Sequence, residues 1–155
     1  MIAVVSDTHL PRGSRRLPDG CVRTLRDAGL IVHAGDFTSL SALRDLETFG
    51  PVAGVHGNMD DAAVRARLPE REVVESEGLC IGIVHDGGGA AGRHERLRSW
   101  FPACDAIVYG HSHAPEIARA GGTWILNPGS PTERRRSPAR TMIVITDGVP
   151  ALVSL

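Results

Sequence analysis

Lysine is absent from the chain: all 17 basic residues are arginine. That removes Schiff-base chemistry and a lysine-dependent phosphate loop from the reactions to consider. Cysteine is scarce, at Cys21, Cys80 and Cys104, with no CxxC spacing. An odd number of isolated thiols argues against a disulfide framework or a thiolate metal site and predicts free thiols in a reducing compartment. An excess of one charge sign is also lacking, because 18 acidic residues balance the arginines. No electrostatic footprint for a nucleic-acid polymer or an anionic membrane results. Long apolar runs are missing too: Ile2 to Val5 is interrupted at once by Ser6 and Asp7. The expectation is a cytoplasmic protein with neither signal peptide nor membrane span.

What is present is ordinary globular composition, 42% hydrophobic and 23% charged over 155 residues. A chain of this size buries roughly 70% of its unfolded surface around one core. With no linker, repeat or low-complexity stretch, residues 1–155 read as a single domain.

The first third alternates. Ile2–Val5 is a β-branched run of the kind that forms a strand buried on both faces. Pro18 to Ala28 carries Cys21, Val22 and Leu25 at helical spacing, with Pro18 in the first turn and Gly29 as the stop. Leu30–His33 reads as a second strand, Ser39 caps a helix to about Thr48, and Val52–His56 is a third strand. This β-α-β-α-β order implies parallel pairing, with ligands bound at the carboxyl ends of the strands. In the second half, residues 72–76 and 79–85 form a hairpin around Glu77-Gly78, and a helix spans Arg93–Trp100. Short strands follow at 106–109, 116–120, 123–126, 141–146 and 149–153, and this half is expected to be mostly antiparallel. Together the elements predict an α/β fold, a four-layer αββα sandwich of two mixed sheets flanked by helices. Pro128 to Pro138, rich in Gly, Pro, Ser and Arg, is the expected loose segment.

Metal-binding side chains stand at the strand ends: Asp7 and His9, Asp36, Asn58, His85, and the pair His111 and His113. Carboxylate, amide and imidazole donors without thiolate are those of a catalytic site for Mn²⁺, Fe or Zn²⁺. Alternation in Asp7-x-His9 and His111-x-His113 places both members of each pair on one side if the segments are extended. Seven donors exceed the need of one tetrahedral ion and suit two ions bridged by a carboxylate, for which Asp36 is the natural choice.

Ser6-Asp7-Thr8-His9, Gly35-Asp36, Gly57-Asn58, His85 and Gly110-His111-Ser112-His113 resemble the motifs of the calcineurin-like metallophosphoesterases. More narrowly they resemble the small single-domain bacterial and archaeal phosphodiesterases, whose late loop is similar to Asn127-Pro128-Gly129-Ser130. The resemblance implies that Asp7, His9, Asp36 and His113 hold one ion and Asp36, Asn58, His85 and His111 the other. Mn²⁺ is the expected metal, with Fe, Zn²⁺ or Ni²⁺ as alternatives. It also implies hydrolysis of small phosphate esters, most naturally diesters, by a hydroxide that bridges the two ions. Asp36 and Asn58 would then be catalytic through metal and phosphate, with no protein nucleophile. A homodimer is implied by resemblance alone. The alternatives are a catalytically weak interaction scaffold of the same fold, as in a eukaryotic trafficking subunit, and a nucleotide pyrophosphatase or phosphomonoesterase.

The sequence departs from the wider family at Met59, where many relatives carry a histidine thought to protonate the leaving group. General-acid help worth roughly 10²–10⁴-fold is therefore missing at that position. His56 reads as a hydrogen-bonding neighbour, Asp86 as a turn residue, Asp60 as a helix N-cap in preference to a hydrogen-bonding neighbour of Asn58, and His33 and His94 as structural. Arg134, Arg135 and Arg136 read as a solvated run, with contact of one guanidinium to phosphate as the alternative.

Overall fold

The computed structural model describes residues 1–155. One sheet contains β1 (Ile2–Val5), β2 (Leu30–His33), β3 (Val52–Gly54), β9 (Thr141–Thr146) and β10 (Val149–Ser154), in the order β10-β9-β1-β2-β3. The other contains β4 (Arg71–Ser76), β5 (Leu79–Val84), β6 (Ala106–Val108), β7 (Glu116–Ala120) and β8 (Thr123–Asn127), in the order β4-β5-β6-β8-β7. The helices are α1 (Asp19–Asp27), α2 (Leu40–Glu47), α3 (Ala62–Arg67) and α4 (Arg93–Trp100).

Side-chain alternation explains the layers. On β1, Ile2 and Val4 join Ile81, Ile83, Val108 and Leu126 of the second sheet in the core between the sheets. Ala3 and Val5 point the other way, onto Cys21, Leu25, Leu43 and Val64 of α1, α2 and α3. A strand buried on both faces has no use for polar alternation, which is why residues 2–5 are uninterruptedly apolar. The second sheet repeats the scheme, with Ile107 and Ile125 packing outward on Leu97 and Phe101 at α4. Gly82 lets that helix seat, since a Cβ there would lie 2.5 Å from the Phe101 ring. On α1 the buried pair Cys21 and Leu25 stands one turn apart. Truncating Leu25 to alanine is expected to cost roughly 2–5 kcal/mol.

Four local expectations change. Pro18 is the N-cap of α1 rather than a first-turn residue. The third strand ends at Gly54. Helix α3, which the sequence announces only through a cap expected at Asp60, runs for six residues and is capped by Asp61 instead, whose carboxylate accepts from Val64 N–H. In the second sheet the outer pairs β4–β5 and β7–β8 are antiparallel as expected, but β5–β6 and β6–β8 are parallel. This last difference matters: the carboxyl ends of β5 and β6, like those of β1, β2 and β3, deliver loops to a common site.

The first part of the 128–138 segment, through Thr132, is tied down rather than loose. Ser130 Oγ donates to Asp7 O at 2.8 Å and Thr132 Oγ1 to Thr8 O at 2.8 Å. Both residues are buried, because they satisfy carbonyls in the loop after β1 that no strand neighbour reaches.

Candidate metal centre

The backbone at the strand ends is unusual. Nine non-glycine residues have positive φ, and five of them are Asp7, His9, Asp36, His111 and His113. Such conformations are costly for residues with a Cβ and concentrate where a function requires them. They also correct the local picture: Asp7 (φ 54°) and His9 (φ 46°) reach the same place through left-handed turns, not through an extended segment.

All seven side chains are brought together. His9 Nε2 faces His113 Nε2 at 3.3 Å, and Asp7 Oδ1 lies 3.2 Å from His113 Nε2 and 3.8 Å from His9 Nε2. Asp36 Oδ2 lies 3.8 Å from His9 Nε2 on one side and 3.4 Å from His85 Nε2 on the other. Asn58 Oδ1 completes the second group, 3.0 Å from both His85 Nε2 and His111 Nδ1. Asp7, His9, Asp36, His85 and His113 are buried, whereas Asn58 and His111 are at the exposed rim.

Each donor is aimed by neighbours. Asp7 Oδ2 accepts from Ser6 Oγ at 2.7 Å and from His111 N–H at 3.0 Å, leaving Oδ1 buried without a hydrogen-bond partner. A carboxylate oxygen so placed is costly unless a cation meets it. Asp36 Oδ1 accepts from Met59 N–H at 2.8 Å, which turns Oδ2 inward. His85 Nδ1 donates to Ala34 O at 2.7 Å, so the lone pair of Nε2 faces the cluster. Two glycines make the approach possible. A Cβ on Gly57 would lie 2.1 Å from Asp36 Oδ1, and one on Gly110 2.0 Å from Ser6 Oγ.

Asp60 takes the less favoured of the two roles its sequence position offers, that of a hydrogen-bonding neighbour of Asn58. It does not cap a helix. Its buried carboxylate accepts three main-chain N–H groups, from Gly57 at 2.7 Å, Asp36 at 3.1 Å and Thr38 at 2.6 Å, clamping the loops after β2 and β3 to each other. Its position two residues after Asn58 was the only signal. Glu133 went unnoticed: it pairs with Arg15, and its Oε2 lies 3.6 Å from His113 Nδ1. Asn127 Nδ2 donates to Gly110 O at 3.0 Å and to Ser112 Oγ at 3.1 Å, holding the loop that carries His111 and His113.

His33 is packed as expected. Its Nδ1 accepts from Gly35 N–H at 3.1 Å and its ring stacks on Phe37 with centroids 3.6 Å apart. Asp86 accepts from Gly88 N–H in a turn, and His94 pairs with Glu116 at 3.0 Å. Of the arginine run, Arg135 and Arg136 border a cavity of about 710 Å³ next to His113, and Arg135 Nε lies 3.5 Å from Glu133.

Burial works to raise the Asp7 carboxyl, but His113, His85 and Ser6 outweigh it and hold it below the ordinary carboxylate range. Asp36 is held low in the same way, by His85 and Met59 N–H against burial. For His85, burial opposes the charged form, yet Asp36 and Asp7 prevail and raise it. His9 goes down because desolvation exceeds the pull of Asp36 and Asp7. Two anionic carboxylates face four inward imidazoles and an amide oxygen, and this donor set fits divalent metal.

A four-layer αββα sandwich with such a cluster at its strand ends defines a metal-dependent hydrolase platform. The chain belongs to the calcineurin-like phosphoesterase superfamily, whose domain matches residues 1–147. It is 36% identical over 150 residues to a probable metallophosphoesterase of Methanothermobacter thermautotrophicus, covering 96% of this chain and 87% of that one. In fold it is similar to an archaeal phosphodiesterase (TM-score 0.76, 19% identity, 99% of each chain). It is equally similar to Chaetomium thermophilum Vps29 (TM-score 0.77, 19% identity, 94% of this chain and 82% of that one). No helix is long and apolar enough to cross a membrane.

Proposed function

We propose that residues 1–155 act as one domain that hydrolyses small phosphate esters, preferably diesters, at a centre of two divalent ions. In this reading Asp7, His9, Asp36 and His113 hold one ion and Asp36, Asn58, His85 and His111 the other, with Mn²⁺ the expected metal and Fe, Zn²⁺ or Ni²⁺ able to replace it. The observation that carries it is Asp36 Oδ2 standing between two imidazole nitrogens, His9 Nε2 and His85 Nε2. When bound, two such ions supply an activated water and neutralise charge building on the phosphoryl oxygens.

The chain's own contribution is positioning. Asp60 fixes the backbone that presents Asp36 and Asn58, and Ala34 O sets the tautomer of His85. Ser6 is no nucleophile: it is buried, and its hydroxyl serves Asp7 Oδ2 and Ala34 O. With Met59 unable to give a proton, esters of good leaving groups are the favoured substrates.

The test is metal analysis of protein purified without chelator, followed by assay of a chromogenic phosphodiester and the matching monoester with Mn²⁺. About two ions per chain, diester turnover abolished by Asp36→Asn, and loss of turnover with chelator are expected. Turnover indifferent to chelator and to Asp36→Asn would defeat the reading. A second reading, a catalytically weak interaction scaffold, is favoured by the exposed Met59 and by the likeness to Vps29. It predicts metal binding without turnover. The setting we propose is cytoplasmic, and the assembly a dimer, which light scattering would check.

A further inference from the structure

Asn58, His85 and His111 also form part of the wall of a cavity of about 600 Å³, and Arg65, Arg71, Arg96 and Trp100 line it further. The three guanidinium groups are not neutralised by the chain. Glu70 and Asp86 border the same cavity, yet no carboxylate lies within 4.0 Å of any of the three, whereas Arg15 and Arg67 pair with Glu133 and Glu47.

Two of these arginines are fixed by main-chain carbonyls. Arg65 donates from Nε to Asp60 O at 2.9 Å and from Nη2 to Asn58 O at 2.8 Å. It is thereby locked to the loop that carries Asn58. Arg96 donates from Nε to Gly87 O at 3.0 Å, and its Nη atoms reach carbonyls of the same glycine-rich loop. Carbonyl contacts orient a guanidinium without cancelling its charge. Arg71 is different: its guanidinium lies 3.9 Å over the Trp100 ring and meets no acceptor of the chain. Stacking settles the plane of the fork and leaves its donor edge open, the state in which arginine takes phosphate bidentately.

We propose that this cavity is a second phosphate subsite, so that the preferred substrate is a phosphodiester carrying a further phosphoryl group. This rests on the phosphoesterase reading and deepens it by naming the substrate class. Arg71 supplies the open fork, and Arg65 and Arg96 supply fixed positive charge beside it.

Two chromogenic esters separate the possibilities: the p-nitrophenyl ester of thymidine 5′-phosphate, and the same compound with a phosphate on its 3′-oxygen. With Mn²⁺, kcat/KM is expected to favour the 3′-phosphorylated ester by about tenfold or more, as one charge-assisted contact allows. Arg71→Ala is expected to bring that ratio towards one through KM, with Arg71→Lys in between, at unchanged metal content and far-UV circular dichroism. Equal kcat/KM for the two esters in the unmodified protein would overturn the subsite while sparing the phosphoesterase reading. A preference that survives both Arg71→Ala and Arg65→Ala would overturn it as well. Hydrolysis of neither ester by fully metallated protein would remove the phosphoesterase reading, and the subsite with it.

Discussion

The main-chain N–H of Met59 donates to Asp36 Oδ1 at 2.8 Å, while the Met59 side chain stands 55% exposed. Position 59 therefore serves Asp36 through its backbone, and its side chain is free to vary. Met59→Ala is expected to change turnover of an aryl diester by less than about threefold, since the backbone N–H that serves Asp36 is kept. Met59→His is expected to raise turnover of an alkyl ester, whose leaving group needs a proton, by up to about 10²-fold while leaving the aryl ester nearly unchanged. Equal effects on both esters would show that this side chain does not face the leaving group.

Asp60 accepts three N–H groups, and asparagine offers only one acceptor oxygen in its place. Asp60→Asn is expected to weaken Mn²⁺ binding by about 10–100-fold, the usual scale for a residue that holds ligands in position. Calorimetric titration with Mn²⁺ would measure this. Affinity equal to that of the unmodified protein would mean that the clamp contributes to folding alone.

His33 gives a pH dependence of stability. Burial pushes its imidazole down to about 3 from an ordinary 6.5. Below about 6.5 the unfolded chain takes up a proton that the folded one refuses until about 3, so more protons are bound in the unfolded state and stability falls as pH drops through that window. The loss is on the order of a few kcal/mol. His33→Asn keeps an acceptor for Gly35 N–H and is expected to flatten the profile of urea midpoint against pH between 6.5 and 4. Parallel profiles for the two proteins would show that another group carries the effect.

Cys80 Sγ and Cys104 Sγ lie 3.0 Å apart, between backbones joined by Asp105 N–H to Cys80 O at 2.9 Å. Incubation with oxidised glutathione is expected to close a disulfide. Cys80 displaces one glutathione thiol, Cys104, whose own thiol is pushed up to about 12 by burial and by Cys80, displaces the second, and the protein loses two hydrogens. Peptide mapping after alkylation reads the result. Both thiols remaining alkylable would refute it.

Much of the site was legible because its parts are local. Strand one announces itself in four apolar residues, and Asp7 and His9 follow at once; Gly57 and Gly110 precede Asn58 and His111 because a side chain there would strike Asp36 or Ser6. What escaped depends on partners far away in the chain. That β6 lies between β5 and β8 with parallel pairing is set by inter-sheet packing, not by the composition of three residues. Asp60 looks like any acidic residue before a helix until the loops of Asp36 and Gly57 converge on it. The cysteines, 24 positions apart, give no sign of being neighbours. Residues 128–132 read as loose because the glycine and prolines are visible, whereas the carbonyls of Asp7 and Thr8 that bind Ser130 and Thr132 are not.

Four of the seven side chains follow strands of one sheet, and His85, His111 and His113 follow strands of the other. Cations held among them would act as a latch along one rim of the sandwich, where turns rather than packed apolar groups face each other. Heating the chelated protein would then be expected to part the layers from that rim first, so that hydrogen exchange around Tyr109 to Ala114 quickens before the helices begin to fray.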